Sequence, residues 1–166
     1  MKTYLMITIL TLLFSTGLNT SKKIELSSVK FNESPERFLQ GASTVRKGKL
    51  FGRDDMVSYG IEKPNLTYQT VQPSHVELLA HRGVLSGYAF KIYNAPDQDK
   101  VISFLKSKYK KLEVETWKWQ TTYRFRDEEV TILMRSIAKE KFPEGMNAYL
   151  DVKSTDFYNV YEDLRK

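Results

Sequence analysis

The stretch EVETWKWQTTYRFR, residues 113–126, alternates almost strictly between two chemistries. Trp117, Trp119, Thr121, Tyr123 and Phe125 fall on one side, and Lys118, Gln120, Thr122, Arg124 and Arg126 on the other. A period of two belongs to an extended strand whose successive side chains point to opposite faces. One face is therefore aromatic and the other hydrophilic. A sheet built around such a strand needs an apolar cover, and the segment just before it supplies one. Asn94-Ala95-Pro96-Asp97 opens a helix expected over about 96–111, with Val101, Ile102, Leu105 and Tyr109 at helical spacing. Acids at its start (Asp97, Asp99) and lysines at its end suit the helix dipole.

Beyond this stretch, Asp127-Glu128-Glu129 reads as a turn into a strand at 130–137, where Val130, Ile132 and Met134 share a face. After the connector KEKFPEG (139–145), Met146, Ala148, Leu150 and Val152 alternate with polar partners, and Ser154 or Thr155 caps a short helix over 156–164. Upstream, strands are expected at 56–62, 66–72, 76–81 and 84–93, separated by Pro64-Asn65, Pro73-Ser74 and Arg82-Gly83. Residues 24–31 read as an edge strand. Ser34-Pro35-Glu36 gives a helix start with Phe38 and Leu39 as its buried pair, and the basic run VRKGKLFGR (45–53) reads as a mobile loop. The expected fold is α+β: an antiparallel β-meander sheet with one long helix and two short helices packed on it. Helix followed by meander occurs twice, giving halves at 24–93 and 94–166 of a single domain spanning 21–166.

Residues 1–20 carry a different message. Lys2 is followed by an apolar run from Tyr4 to Phe14 and a short exit of small and polar residues, which is the layout of a secretory signal peptide cleaved near 17–20. The run is too short for the roughly 20 apolar residues of a membrane span. The expectation is an exported product, periplasmic or secreted, with no stable membrane insertion after cleavage. A mature chain of about 145–150 residues is long enough to bury a core. It must do so by packing, because the chain has no cysteine and so no disulfide or thiolate metal site.

The element order, together with VKFNESPERF at 29–38, resembles the small exported bacterial proteins of the SmpA and β-lactamase-inhibitor type, in which helices pack on a meander. The opening is similar to the strand followed by an SPEEF-type helix start found in that group. This chain departs from the inhibitor members in having no cysteine pair, so the resemblance does not carry their inhibitory role over to it.

No G-x-S-x-G elbow, Gly-rich phosphate loop or cysteine nucleophile is present. His75 and His81 sit six residues apart on one strand, about 20 Å apart when extended, too far to share a metal ion. No catalytic residue, metal ligand or cofactor is assigned. Nucleic acid is a poor match for an exported chain, and the formal charge of +6 favours acidic partners. The first functional expectation is a soluble binding protein that recognises another protein through Lys118, Arg124 and Arg126 or through Lys47, Lys49 and Arg53. The second is a glycan- or cell-wall-binding module that stacks sugars on Trp117, Trp119 and Tyr123. The third is a small hydrolase or metal-dependent enzyme. Whether the aromatic stripe is core or exposed platform is left open by sequence.

Overall fold

The computed structural model describes residues 23–166, so the leader read at 1–20 lies outside the described residues. Eight strands form one antiparallel sheet: β2 (Thr44–Lys49), β3 (Met56–Glu62), β5 (His75–His81), β6 (Val84–Ile92), β7 (Glu113–Trp117), β8 (Gln120–Arg126), β9 (Val130–Ile137) and β10 (Ala148–Ser154). Their spatial order is β2-β3-β5-β6-β10-β9-β8-β7. Each half of the chain lays down four strands in sequence, and the last strand of each half, β6 or β10, sits at the centre. There the halves meet antiparallel, with Gly87 opposite Lys153 and Ile92 opposite Ala148. A separate parallel pair joins β1 (Ile24–Glu25) to β4 (Leu66–Thr67).

Helix α1 (Ala95–Lys108) begins where the Asn94 side chain accepts from the Asp97 amide at 2.9 Å, with Pro96 in its first turn. It ends three residues earlier than the periodicity suggests. Tyr109 leaves in an extended conformation, and its ring stacks 4.4 Å from that of Phe125. Val101 and Leu105 face the sheet and join Phe90, Ile132, Met134, Leu150 and Val152 in the main core. Buried Gln98 clamps the helix to β9, donating to the Ile137 carbonyl at 3.0 Å and accepting from its amide at 2.9 Å.

The first half has no such helix over its strands. The start at Ser34-Pro35 yields only a 3₁₀ turn, Pro35–Leu39, which buries Phe38. Tyr68 completes that cover, its ring 5.6 Å from those of Phe90 and Phe104. Tyr68 reaches the core because the strand expected at 66–72 turns back after Thr67, with Gln69 at φ 48° and Thr70 at φ 70°. The basic run expected to be a loop is the edge strand β2, followed by a 3₁₀ turn at Leu50–Gly52. All six β2 side chains are exposed, so pairing with β3 rather than apolar alternation makes it a strand.

The segment at 113–126 is two strands, not one. Trp117 pairs with Gln120 across a two-residue loop of Lys118 and Trp119, and Lys118 takes φ 52°. This hairpin shifts the alternation. Arg124, Thr122 and Gln120 share a face with Trp117, while Tyr123 and Phe125 turn to the core.

Helix α2 (Thr155–Asp163) follows β10 directly, with the Ser154 hydroxyl accepting from the Phe157 amide at 3.3 Å. It crosses to the other face of the sheet, where Phe157 packs on Met56 and Leu79 in a second, smaller core. Among the described residues no helix is long and apolar enough to cross a membrane.

Candidate functional site

The face opposite α1 is covered by α2 over Met56 and Leu79 and open beyond it, and the strand register sets its chemistry. One row runs across all eight strands as Arg46, Gly60, Glu77, Ala89, Asp151, Leu133, Arg124 and Glu113. Beside α2 this face sinks into a cleft of about 860 Å³, within the size range of ligand clefts. Its floor spans three neighbouring strands, whose register sets Arg126 beside Thr131 and Lys153, Arg124 beside Leu133 and Asp151, and Arg135 beside Tyr149. Tyr158, Tyr161 and Arg165, from α2 and the residues after it, form the wall.

Lys153 is the deepest cation, only 5% exposed. Its burial depends on Gly87 opposite, because a Cβ there would stand 2.9 Å from the Val152 carbonyl oxygen and 3.0 Å from Lys153 Cγ. The Lys153 ammonium donates to Asp151 Oδ2 and lies 4.8 Å from the centre of the Tyr161 ring. A buried cation needs such partners, since water no longer solvates it. The other carboxylate oxygen, Asp151 Oδ1, is buried and has no hydrogen-bond partner among the described residues. An unmet acceptor of this kind is costly.

Burial pushes the Tyr149 hydroxyl well above its ordinary range, and the nearby Asp151 and Glu77 carboxylates add to the effect. Burial also raises Tyr161, with Asp151 and Glu77 again contributing. Both phenols therefore stay protonated and able to donate at neutral pH.

The arginines of the cleft are less committed than Lys153. Arg124 pairs at 2.8 Å with Glu115, which is exposed on edge strand β7. Arg126 donates to the neutral Asn159 Oδ1 at 2.5 Å and covers the Tyr158 ring at 5.3 Å. Arg135 is exposed and has no hydrogen bond or ion pair among the described residues.

The two basic groups singled out in the sequence are not brought together. Five strands separate β2, which carries Lys47 and Lys49, from β8, which carries Arg124 and Arg126. Lys49 pairs with Asp54, Arg53 binds Asp55 through two hydrogen bonds of 2.9 Å, and Lys47 sits 5.5 Å from the Tyr59 ring centre. Lys118 lies at the hairpin tip against Trp117, 4.4 Å from its ring centre. The aromatic trio is divided as well. Trp117 is 65% exposed, Tyr123 is only 8% exposed in the core, and Trp119 occupies the hairpin loop with its carbonyl accepting from Ala138. The expected platform of three rings is not formed, because the hairpin turns at Lys118-Trp119 and sets Tyr123 on the face opposite Trp117.

His75 and His81 stand at opposite ends of β5, each beside its own carboxylate. His75 is 3.2 Å from Glu62 and His81 is 3.6 Å from Asp55. Among the described residues no group of three or more His, Cys, Asp or Glu side chains is placed to hold a metal ion. The sequence reading missed Arg135, Tyr149, Asp151, Lys153 and Tyr161. Alternation in β10 placed Tyr149, Asp151 and Lys153 away from the core, but only the pairing of β10 with β9 sets them beside the arginines. No protein-family model, curated protein or solved structure matches this chain.

Proposed function

We propose that the protein is a non-enzymatic binding protein that recognises another protein through the open face of its sheet. The reading of residues 1–20 as a leader places its work after export, in a periplasm or outside the cell. The observation that carries the proposal is the contrast across a single sheet. One face is sealed by α1 and the N-terminal segments, while the other presents Arg124, Arg126 and Arg135 around a wide cleft. Exposed cations of this kind steer an acidic partner and select its register. The test is recovery of the native partner by the tagged mature protein. The double variant Arg124→Glu/Arg126→Glu is expected to lose that partner while keeping the wild-type circular dichroism spectrum. Undiminished recovery by the double variant refutes the proposal.

A further inference from the structure

We infer that the cleft between α2 and strands β8–β10 seats an extended acidic peptide segment of the protein partner, a step that rests on the function proposed above. Three features of the cleft select this occupant.

The first is the supply of cations. Lys153 is already neutralised by Asp151, so it holds the floor together and leaves anion binding to the arginines. Of these, Arg135 has no hydrogen bond or ion pair among the described residues, Arg126 has only a neutral acceptor, and Arg124 has an exposed one. Guanidinium groups bind carboxylates in a two-pronged geometry, which makes each a ready receptor for an Asp or Glu side chain.

The second is spacing. Arg124 and Arg126 are two residues apart on one strand and face the same way, so their Cα atoms are separated by roughly 6.6 Å. Alternate side chains of an extended peptide repeat at that same distance. Arg135 lies one strand over, opposite Thr122, and extends the cationic surface across the floor.

The third is the need for a donor as well as an acceptor. The cleft is also lined by acceptors, the Glu113 and Glu162 carboxylates. A peptide carries backbone N–H groups along its length, so it can meet these acceptors while its own carboxylates meet the arginines. A fully deprotonated inorganic anion such as sulfate has no such donor. Tyr149 and Tyr161 also line the cleft and add phenolic O–H groups to it.

The probe is a fluorescein-labelled hexaglutamate peptide, with its binding to the full mature protein read by fluorescence anisotropy. Saturable binding is expected, weakening as salt rises. Arg135→Gln combined with Arg124→Gln is expected to reduce affinity at least tenfold. Lys47→Gln combined with Lys49→Gln removes the same charge at the far edge of the sheet and is expected to change it less than twofold. Equal losses in the two double variants would mean general charge attraction and overturn the inference. So would no binding by the wild type, or complete displacement by polygalacturonate but not by unlabelled hexaglutamate. Should the peptide fail while partner recovery still depends on Arg124 and Arg126, the docking of an extended acidic segment falls and the sheet-face function stands. Should both fail, both fall.

Discussion

The two faces of the same eight strands do different jobs. On the closed face, β6 contributes Tyr88, Phe90 and Ile92 and β10 contributes Ala148, Leu150 and Val152, all nearly inaccessible to solvent. On the open face, the neighbouring positions of the same strands are Gly87, Ala89 and Lys91, and Tyr149, Asp151 and Lys153. A residue's contribution is therefore set by the parity of its position. Burial of apolar area on the closed side forms the main core, while the open side carries the exposed cations Arg124, Arg126 and Arg135 beside the buried Lys153–Asp151 pair.

That contrast can be broken from the closed side first. Phe90 is 1% exposed and sits at the centre of the core. Phe90→Ala is expected to cost about 3–5 kcal/mol, as truncation of a buried aromatic does, and urea denaturation measures it. A loss below 1 kcal/mol would mean the closed face is not the principal core.

Alkaline titration separates the two faces by a smaller effect. Burial raises the Tyr68 and Tyr88 hydroxyls on the closed face and Tyr149 and Tyr161 around the cleft. The unfolded chain releases these protons near pH ~10 and the folded chain only above it. Stability is thus complete below that pH and falls as pH rises beyond it. Phenolate absorbance should show the half-buried Tyr161 ionising while the protein is still folded, and Tyr88 only together with loss of the far-ultraviolet circular dichroism signal. Ionisation of every tyrosine before unfolding would contradict the burial of Tyr88.

The smallest effect is expected on the open face. Arg135→Gln removes an exposed cation that has no ion pair among the described residues, so its unfolding free energy should stay within about 0.5 kcal/mol of wild type. A larger loss in urea denaturation would show that the Arg135 side chain contributes to the fold.

Much of the closed face was legible in the sequence. The alternations read in 130–137 and from Met146 to Val152 grouped Ile132 with Met134 and Ala148 with Leu150 and Val152, all of which lie in the core, and the capping signals at Asn94 and Ser154 placed both helices within a few residues. What was not legible has a common cause, in that local pattern gave way to tertiary pairing. The hairpin at Lys118-Trp119 lacks the glycine, asparagine or aspartate that marks such loops. It also puts residues an odd number apart on one face, so Trp117 landed opposite to where unbroken alternation sends it. Strand β2 shows no apolar rhythm because both its faces are wet. The cleft is assembled from strands and a helix whose adjacency is visible only once β10 is known to lie between β6 and β9. Arg124 and Arg126 could be picked out from residues 113–126, but Arg135 and Tyr149 could not.

The central seam between the halves also bears on how the chain is made. Gly87 pairs with Lys153, and everything from α1 through β9 must be synthesised between them. Until β10 arrives, the first meander ends in β6 with one long edge unpaired and an apolar surface without its full cover, a state prone to joining other chains. Contacts this distant in sequence also slow folding. The final strand is therefore the keystone, and a ribosome stalled before residue 148 would leave behind two partial sheets with adhesive edges rather than a smaller working protein.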